Sequence, residues 1–343
     1  MLSLRAQSGP SLQEKFCGCL LGGMVGDVIG AAVEAESPGY IRKTFKSLDD
    51  ILALNSVPEL ITGEWEVGRF TDDTQMTLAV AEWLTSGVER NGKSLLTTFV
   101  ERYEPWRHYG SGTRLILESF RGVGENWQAL ATAMFPQGSY GNGSAMRAAP
   151  VGLFLHNDLT AVLKFARISS VVTHSHPLAI QGAALQATAV ALATRGVREP
   201  AQFLRLLNAA LAHFAELGED TSAYQTALVR ISAGISKQVP PIKMAQLLGN
   251  GIKAQEAVPM AIYCFLAAPN SFEKAVESAI FLGGDTDTIG CMTGAVSGAA
   301  LGEDAIPKRW LQRVTESEYA PGKVRQLALA LFRKGQEGKF EAK

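Results

Sequence analysis

Two runs of glycines, each spaced four residues apart, restrict most strongly what this chain can fold into. One run lies near the start of the sequence and the other near its end: Gly18, Gly22, Gly26 and Gly30, then Gly290, Gly294, Gly298 and Gly302. Residues four apart share one face of a helix, so each run bares a face and lets another backbone approach closely. Because each Gly costs a helix interior up to about 1 kcal/mol relative to Ala, these helices require tight packing. Tight packing alone is a sufficient explanation of the glycines.

The sequence between the two runs also has helical periodicity. Apolar residues recur at i, i+3, i+4, i+7 and i+8, as in Met76, Ala79, Val80, Trp83 and Leu84. Strand-like alternation is rare, and no segment rich in Pro, Gly or Ser divides the chain. We therefore predict an all-α protein, a compact single-domain bundle of roughly a dozen or more helices. The predicted boundaries are a flexible N-terminal segment at 1–15, one domain at 16–335 and a polar C-terminal tail at 336–343.

The charge balance and the cysteines exclude several classes of protein. The 343 residues include 32 Lys+Arg and 33 Asp+Glu, so bulk charge does not drive binding to nucleic acid or to an acidic membrane. No continuous apolar run reaches the roughly 18 residues of a membrane span, and no signal-peptide core is visible, which predicts a cytoplasmic location. The cysteines form no CxxC pair and indicate buried thiols in a reducing compartment: Cys17, Cys19, Cys264 and Cys291.

Two acidic motifs stand at predicted helix starts. They are Thr71-Asp72-Asp73-Thr74 and Gly283-Gly284-Asp285-Thr286-Asp287-Thr288. First-turn acids that interact with the helix dipole, with a Thr as the cap, explain one Asp in each motif. If the two motifs meet, their carboxylates repel one another unless a cation neutralises them. Oxygen ligands without His or Cys favour Mg²⁺, Mn²⁺ or Ca²⁺, and this number of carboxylates suits two divalent ions.

A glycine-rich loop at 138–147 is the third motif that could carry chemistry. Its sequence, Gly-Ser-Tyr-Gly-Asn-Gly-Ser-Ala-Met-Arg, predicts exposed backbone amides that favour phosphate, and Tyr140 offers a stacking surface. An ordinary tight loop is the alternative. The stretch from Gly110 to Gly112 is a weaker case of the same kind. For His174 and His176, which precede Pro177, we favour a helix cap or a ligand contact over metal binding.

Together, these motifs resemble those of the ADP-ribosylglycohydrolase family. The resemblance runs from about Phe16 to Trp310 and rests on the first glycine run, both Asp/Thr motifs and the loop at 138–147. Three stretches are similar to the ADP-ribosylhydrolase-three branch: 138–143, 248–252 and 257–265. That branch acts on serine-linked ADP-ribose, poly(ADP-ribose) and O-acetyl-ADP-ribose.

The resemblance implies an all-α ADP-ribosylglycohydrolase fold, two Mg²⁺ ions, with Mn²⁺ as a substitute, and a set of site residues. It implies Glu34 as the catalytic acid or base, with Glu36 as the alternative. It implies these metal ligands: Thr71, Asp72, Asp73, Asp285, Asp287 and Thr288. It implies these ligand-binding residues: Gly138, Ser139, Tyr140, Gly141, Asn142 and His174, to which the Gly110–Gly112 stretch adds Gly110 as a further candidate.

The implied reaction is hydrolysis at the anomeric carbon of ribose. Such cleavage passes through an oxocarbenium-like state, and a carboxylic acid can protonate the leaving oxygen while metal ions fix the sugar. We therefore expect a Mg²⁺-dependent hydrolase that removes ADP-ribose from serine, with poly(ADP-ribose) and O-acetyl-ADP-ribose as further substrates. The alternatives are an arginine-N-linked ADP-ribosyl hydrolase and a catalytically silent ADP-ribose-binding protein. The expected partners are ADP-ribose and ADP-ribosylated proteins or peptides, without sequence-specific nucleic acid or membrane binding, and we expect a monomer.

Overall fold

The computed structural model of the protein describes residues 9–59 and 63–337. The described residues form nineteen α-helices, two short 3-10 helices and one two-stranded antiparallel hairpin, which confirms the predicted all-α class. The first ten helices are α1 (Leu12–Ala31), α2 (Pro38–Thr44), α3 (Leu48–Leu52), α4 (Asp72–Thr85), α5 (Gly92–Arg102), α6 (Ser111–Val123), α7 (Leu130–Ala133), α8 (Gly143–Met146), α9 (Ala149–Phe154) and α10 (Leu159–Val171). The other nine are α11 (Pro177–Thr194), α12 (Pro200–Glu216), α13 (Ser222–Ser236), α14 (Pro241–Leu248), α15 (Ala254–Ala267), α16 (Phe272–Ile280), α17 (Thr286–Leu301), α18 (Lys308–Leu311) and α19 (Pro321–Gln336). The 3-10 helices are Gly124–Ala129 and Glu303–Ala305.

The N-terminal helix begins inside the segment that the sequence assigns to a flexible terminus. Ser11 and Glu14 form a capping box, in which each side chain accepts a hydrogen bond from the other residue's backbone amide. This box satisfies two amide donors and fixes the start of α1 at Leu12, ahead of the predicted boundary at residue 16. The rest of the predicted N-terminal segment, residues 1–8, and most of the predicted tail, residues 338–343, lie outside the described residues.

The two glycine runs pack against each other, with α1 antiparallel to α17. A Cβ atom at Gly18 would lie 2.6 Å from the carbonyl oxygen of Gly298, and one at Gly290 would lie 2.7 Å from that of Gly26. Real Cβ atoms essentially never approach other atoms so closely. The two backbones therefore touch directly, and any side chain on this face would separate the helices. Dispersion attraction between the two backbones, summed along the whole interface, offsets the low helix propensity of glycine.

The last residue of the second run has a different role from the other three. Gly302 lies just beyond the C-terminus of α17, with a φ of 78°. Glycine adopts this left-handed conformation without the steric cost that a Cβ imposes, so it commonly ends helices. The spacing of four thus continues past the helix end, where the left-handed turn requires the glycine and a Cβ would also lie 2.7 Å from Cβ of Pro10.

Helix α11 is the most apolar long helix and runs through the core. Sixteen of its residues, from Ala179 to Thr194, are buried, in contact with α8, α9, α10, α15 and α17. By length and composition alone, α11 could cross a membrane, but in this fold it lies almost wholly inside the protein. The same composition therefore serves as the centre of a helical bundle.

The hairpin is the only β-sheet among the described residues, and the sequence analysis did not anticipate it. It pairs β1 (Ser56–Glu59) with β2 (Gly63–Glu66) in antiparallel register, with Val57 opposite Trp65. Trp65 is buried, whereas Gly63, Glu64 and Glu66 beside it are exposed. Strands this short contain too few residues for an alternating pattern to stand out in the sequence.

Candidate active site

The predicted site residues converge on one cavity of about 290 Å³. The cavity lies where three helix ends meet: the C-terminus of α1 and the N-termini of α4 and α17. The loop at 138–143 and the start of α6 form its other walls. The cavity is lined by these residues among those predicted: Glu34, Asp72, Asp73, Gly110, Ser139, Gly141, Asn142, His174, Asp285, Asp287 and Thr288. Thr71, Gly138 and Tyr140 lie outside its lining.

Asp27, which the sequence analysis left without a role, holds the first acidic motif in place. Its carboxylate accepts hydrogen bonds from the backbone amide and hydroxyl of Thr71, with the hydroxyl 2.9 Å from Oδ1. It also accepts from the amide and hydroxyl of Thr74, at 2.9 and 2.6 Å from Oδ2. Burial raises the pKa of Asp27 to about 6, and these hydrogen bonds oppose that rise. The signal in the sequence was an acid inside a helix whose other central residues are apolar or Gly.

Thr71 therefore interacts with protein groups and not with the cavity. It is the N-cap of α4, with its hydroxyl oxygen 3.3 Å from the amide of Asp73 and its hydroxyl proton directed to Asp27. The residue is completely buried behind Asp72 and Asp73, which line the cavity. The hydroxyl proton bonded to Asp27 gives Thr71 a role in positioning the motif, and its role as a metal ligand stays a prediction.

The two acidic motifs meet across the α4–α17 junction. The hydroxyl of Thr288 lies 3.3 Å from Oδ2 of Asp73, and the Thr288 amide donates to Asp287 Oδ1 at 2.8 Å. The side-chain amide of Asn142 donates to Oδ2 of Asp285 at 2.5 Å and joins the glycine-rich loop to the same cluster. The motifs thus form one cluster, in which Thr288 of α17 contacts Asp73 of α4 and Asn142 of the loop contacts Asp285.

The electrostatics of this cluster favour a bound cation. Burial, and then repulsion between the neighbouring carboxylates, raises the pKa values of Asp72, Asp73 and Asp287 well above their ordinary range. Burial also raises the pKa of Asp285, against the hydrogen bond from Asn142. A divalent cation would remove this repulsion and favour the ionised forms.

The donor set fits a divalent cation that prefers oxygen ligands. Oδ1 of Asp73 is buried and makes no hydrogen bond to any described residue. Carboxylate oxygens of Glu34, Asp285 and Asp287 lie within 4.8 Å of one another. Since Mg²⁺, Mn²⁺ and Ca²⁺ take carboxylate and hydroxyl oxygens, the residues present are suitable for such an ion.

Glu34 lies in the turn that follows α1, at the edge of the acidic cluster. Two backbone hydrogen bonds hold this turn against the second motif: Ala35 N–H donates to Gly284 O at 2.9 Å, and Gly284 N–H donates to Glu36 O at 3.2 Å. Ala35 has a φ of 62°, which costs a residue with a Cβ about 1 kcal/mol or more. Glu34 lines the cavity and Glu36 does not, so the turn presents only the first of the two candidate acids.

His108 is a cavity residue that the sequence analysis missed. Its Nδ1 lies 3.4 Å from Oε2 of Glu34, and its ring packs on Trp65 of the hairpin with centroids 4.3 Å apart. Like Ala35, His108 has a left-handed backbone, with a φ of 59°. The hairpin is therefore linked through one imidazole ring to the side chain of Glu34. The neighbouring Gly110 was noted in the sequence, but His108 itself belongs to no recognisable motif.

The glycine-rich loop is ordered by pairing with the segment that precedes α15. Asn142 N–H donates to Ile252 O at 2.9 Å, and Ala254 N–H donates to Tyr140 O at 3.0 Å. Gly141 N–H donates to Ser139 Oγ at 3.2 Å. Two amides expected to face a phosphate thus have partners within the protein, which corrects the prediction of an open amide nest at Gly141 and Asn142. Because Ser139 Oγ accepts from Gly141, its hydroxyl proton remains available to a ligand.

Gly138 and Tyr140 support the loop from outside the cavity. Gly138 has a φ of 80°, and a Cβ there would collide with the backbone of Ser175 and His176. Tyr140 is 47% exposed and packs edge-to-face against His176, with ring centroids 5.7 Å apart. His176 in turn caps α11 by accepting from the Leu178 amide at 3.1 Å. The described contacts therefore give His176 a capping role, while His174 reaches the cavity.

Apolar side chains also line the cavity, and no sequence motif identified them. They come from α6, α7 and the two loops beside them: Ile116, Leu130, Met134, Phe135 and Ile252. Met134, Phe135 and Ile252 are also partly exposed at the mouth of the cavity. A cavity lined by both charged and apolar side chains is suited to a ligand that has both polar and apolar parts.

Comparison with known proteins indicates the relatives of this chain. A sequence model of the ADP-ribosylglycohydrolase family matches residues 8–339. The chain is 33% identical over 329 residues to mouse ADP-ribosylhydrolase ARH3, which covers 87% of this chain and 86% of that relative. It is 26% identical over 334 residues to the ADP-ribosylarginine hydrolase Tri1 of Pseudomonas putida strain GB-1, covering 92% and 77%. A solved structure described as an ADP-ribosylglycohydrolase-related protein complex superposes with a TM-score of 0.65 at 26% identity, covering 95% of this chain and 99% of that one.

Proposed function

Because the chain belongs to the ADP-ribosylglycohydrolase family and is a glycosyl hydrolase of ADP-ribosylated substrates, we propose that it is a Mg²⁺-dependent enzyme that releases ADP-ribose from serine. One observation carries the proposal: Glu34 stands beside Asp285 and Asp287 at the acidic end of a cavity that apolar side chains also line. The serine linkage is supported by the higher identity to ARH3 than to the arginine hydrolase Tri1. Poly(ADP-ribose) and O-acetyl-ADP-ribose are further candidate substrates.

The acidic cluster is the proposed site for two Mg²⁺ ions. The residues that would hold them are those of the two motifs that line the cavity: Asp72, Asp73, Asp285, Asp287 and Thr288. When bound, the ions would supply positive charge that neutralises these carboxylates and binds hydroxyls of the ribose. The buried oxygen of Asp73 that lacks a protein partner supports this assignment.

Glu34 is the proposed proton carrier. A carboxyl group near the scissile bond can protonate the leaving serine oxygen as the anomeric carbon gains oxocarbenium character, and then take a proton from the attacking water. The backbone hydrogen bonds between the Glu34 turn and Gly284 fix this group relative to Asp285. His108 contacts the same carboxylate, with its Nδ1 3.4 Å from Oε2 of Glu34.

The other walls would bind the remainder of ADP-ribose. The hydroxyl of Ser139 and the ring of His174 can donate hydrogen bonds to its polar oxygens, while Met134, Phe135 and Ile252 can contact the apolar faces of the ligand. Such contacts exclude water from one side and place the glycosidic bond against the acidic end.

The test is release of free ADP-ribose from two peptides that differ only in the linkage, one serine-linked and one arginine-linked. Each is incubated with the full chain in Mg²⁺, in Mn²⁺ and in excess EDTA, and the product is quantified by chromatography. We expect release from the serine peptide in Mg²⁺ and at most trace release in EDTA. Release from the arginine peptide alone would support the arginine-linked alternative. Binding of ADP-ribose without release from either peptide would support the silent alternative.

Oligomeric state and location complete the proposal. We infer that the chain acts as a monomer of 36.7 kDa in the cytoplasm. Size-exclusion chromatography with light scattering measures the mass directly, and a mass near twice this value would contradict a monomer.

A further inference from the structure

Arg147 is a buried cation without a carboxylate in direct contact among the described residues. Its guanidinium is completely buried, lies over the Phe99 ring with its carbon 4.7 Å from the centroid, and is 3.6 Å from the sulfur of Met76. Its strongest contacts are two hydrogen bonds from NH2, to the carbonyl oxygen of Ser169 and to Oγ1 of Thr173, both at 2.7 Å. The hydrogen bonds that such a cation donates lower the free-energy cost of burying it. Each partner, including the Thr173 hydroxyl, must therefore act as an acceptor toward Arg147.

The hydrogen bond from Arg147 determines the direction of the next one. A guanidinium can only donate, so the Thr173 hydroxyl accepts from Arg147 and has its own proton left to give. Nδ1 of His174 lies 2.7 Å from the same Oγ1 and is the acceptor that the described contacts provide. Leaving a buried hydroxyl proton unpaired is unfavourable, so Thr173 donates to His174. Nδ1 of His174 therefore carries no proton.

The other nitrogen of the imidazole faces the ligand cavity. Cβ atoms built at Gly141 and Gly143 would lie 3.4 and 2.9 Å from Nε2 of His174, and all three residues line the cavity. Nε2 makes no hydrogen bond to a described residue, whereas the backbone carbonyl of His174 accepts from the Ser170 hydroxyl at 2.8 Å. The ring is thus held at its backbone and at Nδ1, with Nε2 open to a ligand.

We propose that Arg147 and Thr173 are positioning residues that fix His174 as the neutral Nε2–H tautomer, a constant hydrogen-bond donor to an oxygen of the bound ligand. The identity of that ligand as ADP-ribose rests on the proposed function, but the tautomer does not. Burial and then the charge of Arg147 lower the pKa of His174 to about 3, so the ring stays neutral at working pH. Burial lowers the pKa of Arg147 to about 9, which leaves it charged at pH 7.

The tautomer is measured by long-range ¹H–¹⁵N NMR on the full ¹⁵N-labelled chain, without ligand. The chain contains five His, and the spectrum of His174→Gln assigns the signals of His174. We expect a protonated Nε2 and an unprotonated Nδ1 that do not titrate between pH 6 and 8. A protonated Nδ1, or an imidazolium in this range, would overturn the inference.

Because Arg147 is completely buried and its replacement endangers the fold, the variants change Thr173. Thr173→Val keeps the shape and removes the hydroxyl, whereas Thr173→Ser keeps the hydroxyl. We expect Thr173→Val to change the tautomer signals and to weaken ADP-ribose binding about tenfold, the weight of one hydrogen bond, as measured by calorimetry. Thr173→Ser should stay within about twofold of the native affinity.

Thr194→Val is the matched control, because it removes another buried hydroxyl, one that donates to Val190 O at 2.8 Å far from the ligand loop. Thr194→Val should leave the NMR signals of His174 and the affinity for ADP-ribose unchanged. Native tautomer signals and native affinity in Thr173→Val would show that the relay is merely structural and would overturn the inference. An Nε2–H spectrum in a native chain that does not bind ADP-ribose would support the tautomer and contradict the proposed function.

Discussion

The two ends of the cavity differ in the groups that they offer to a polar ligand. The acidic end gathers buried carboxylates whose mutual repulsion raises their pKa values, so its native charge state depends on a cation. The loop end uses neutral donors, His174 and Ser139, and its one buried charge, on Arg147, is held by a carbonyl oxygen, a hydroxyl and an aromatic ring. The charge state of the acidic end therefore depends on a bound cation, whereas protein groups alone hold the donors of the loop end in place.

The difference also appears in how each end is built. The acidic end stands on helices α1 and α17, whose backbones touch, and Asp27 fixes the start of α4 with four hydrogen bonds from two threonines. The loop end is ordered by pairing with residues 252–254, just before α15. We expect substitutions at the acidic end to affect catalysis most strongly and substitutions at the loop end to affect affinity.

The largest effect should follow from removing one charge at the acidic end. Asp287→Asn should reduce release of ADP-ribose to the background level, because the cluster loses a carboxylate that would hold metal. The native chain should gain about 2.7 kcal/mol of unfolding free energy in Mg²⁺ at 100 times its Kd, and the variant should lose most of this gain, as measured by thermal unfolding. Asp304→Asn, at an exposed acid, is the control. Full activity of the native chain in excess EDTA after prolonged dialysis would contradict a metal-dependent acidic end.

A loss of at least about 10²-fold in turnover is expected for Glu34→Gln, since this is a typical contribution of general acid–base catalysis. The amide keeps the shape and hydrogen-bonding reach of the carboxylate but cannot transfer the proton. ADP-ribose affinity and the stability gain from Mg²⁺ should stay within a few-fold of native values. Glu36→Gln is the matched control two residues away, and normal turnover in Glu34→Gln with loss in Glu36→Gln would transfer the role to Glu36.

At the loop end, the pH dependence of stability isolates His174. Its pKa is about 3 in the fold against an ordinary value of 6.5, so below pH 6.5 the unfolded chain binds a proton that the folded chain does not. This contribution to stability is complete above pH 6.5 and is lost as the pH falls toward 3, by about 1.4 kcal/mol per pH unit. Between pH 6.5 and 5, His174→Gln should therefore lose about 2 kcal/mol less unfolding free energy than the native chain.

Urea unfolding at the two pH values measures this difference. His213→Gln, on α12, is the control for removing a histidine that does not line the cavity. If the native chain and His174→Gln lost the same unfolding free energy between the two pH values, a buried, neutral imidazole would be contradicted.

The smallest effect should come from crowding the loop without changing its charge. Gly141→Val places branches beside Ser139 Oγ and His174 Nε2, which lie 3.3 and 3.4 Å from an ideal Cβ and must shift slightly to admit it. The added methyl groups would narrow the cavity and weaken ADP-ribose binding about tenfold, within the usual cost of overpacking. Calorimetry measures this change against Gly87→Val, where a Cβ has no neighbour within 4 Å. Native affinity in Gly141→Val would place the ligand elsewhere.

The helical class and the positions of the two acidic motifs could be predicted from the sequence because both depend on local patterns. Periodicity of 3.6 residues identified the helices, and Thr or Gly followed by acids marked the starts of α4 and α17. The glycine runs predicted close backbone contact, and the structure adds that the two runs contact each other. The roles assigned to the site residues stay predictions until the variants are measured.

The missed residues act through contacts that no local pattern encodes. Asp27 and Thr74 are 47 positions apart, and His108 reaches Glu34 only because the turn after α1 and the chain before α6 meet in space. Thr71 fits the metal motif in sequence, yet its proximity to Asp27 directs its hydroxyl away from the cavity. The amides of the glycine-rich loop were expected to be open because its pairing partner, residues 252–254, lies more than a hundred residues away.

The contact between α1 and α17 also determines when the active site can fold during synthesis of the chain. The hydroxyl of Thr286 donates to Gly30 O across 256 positions of sequence. At typical rates of synthesis, on the order of 5–20 residues per second, the first glycine helix waits roughly ten to fifty seconds for its partner. During that interval its bare face has no native neighbour, and half of the acidic cluster does not yet exist. A nascent chain therefore cannot assemble this active site before α17 emerges from the ribosome.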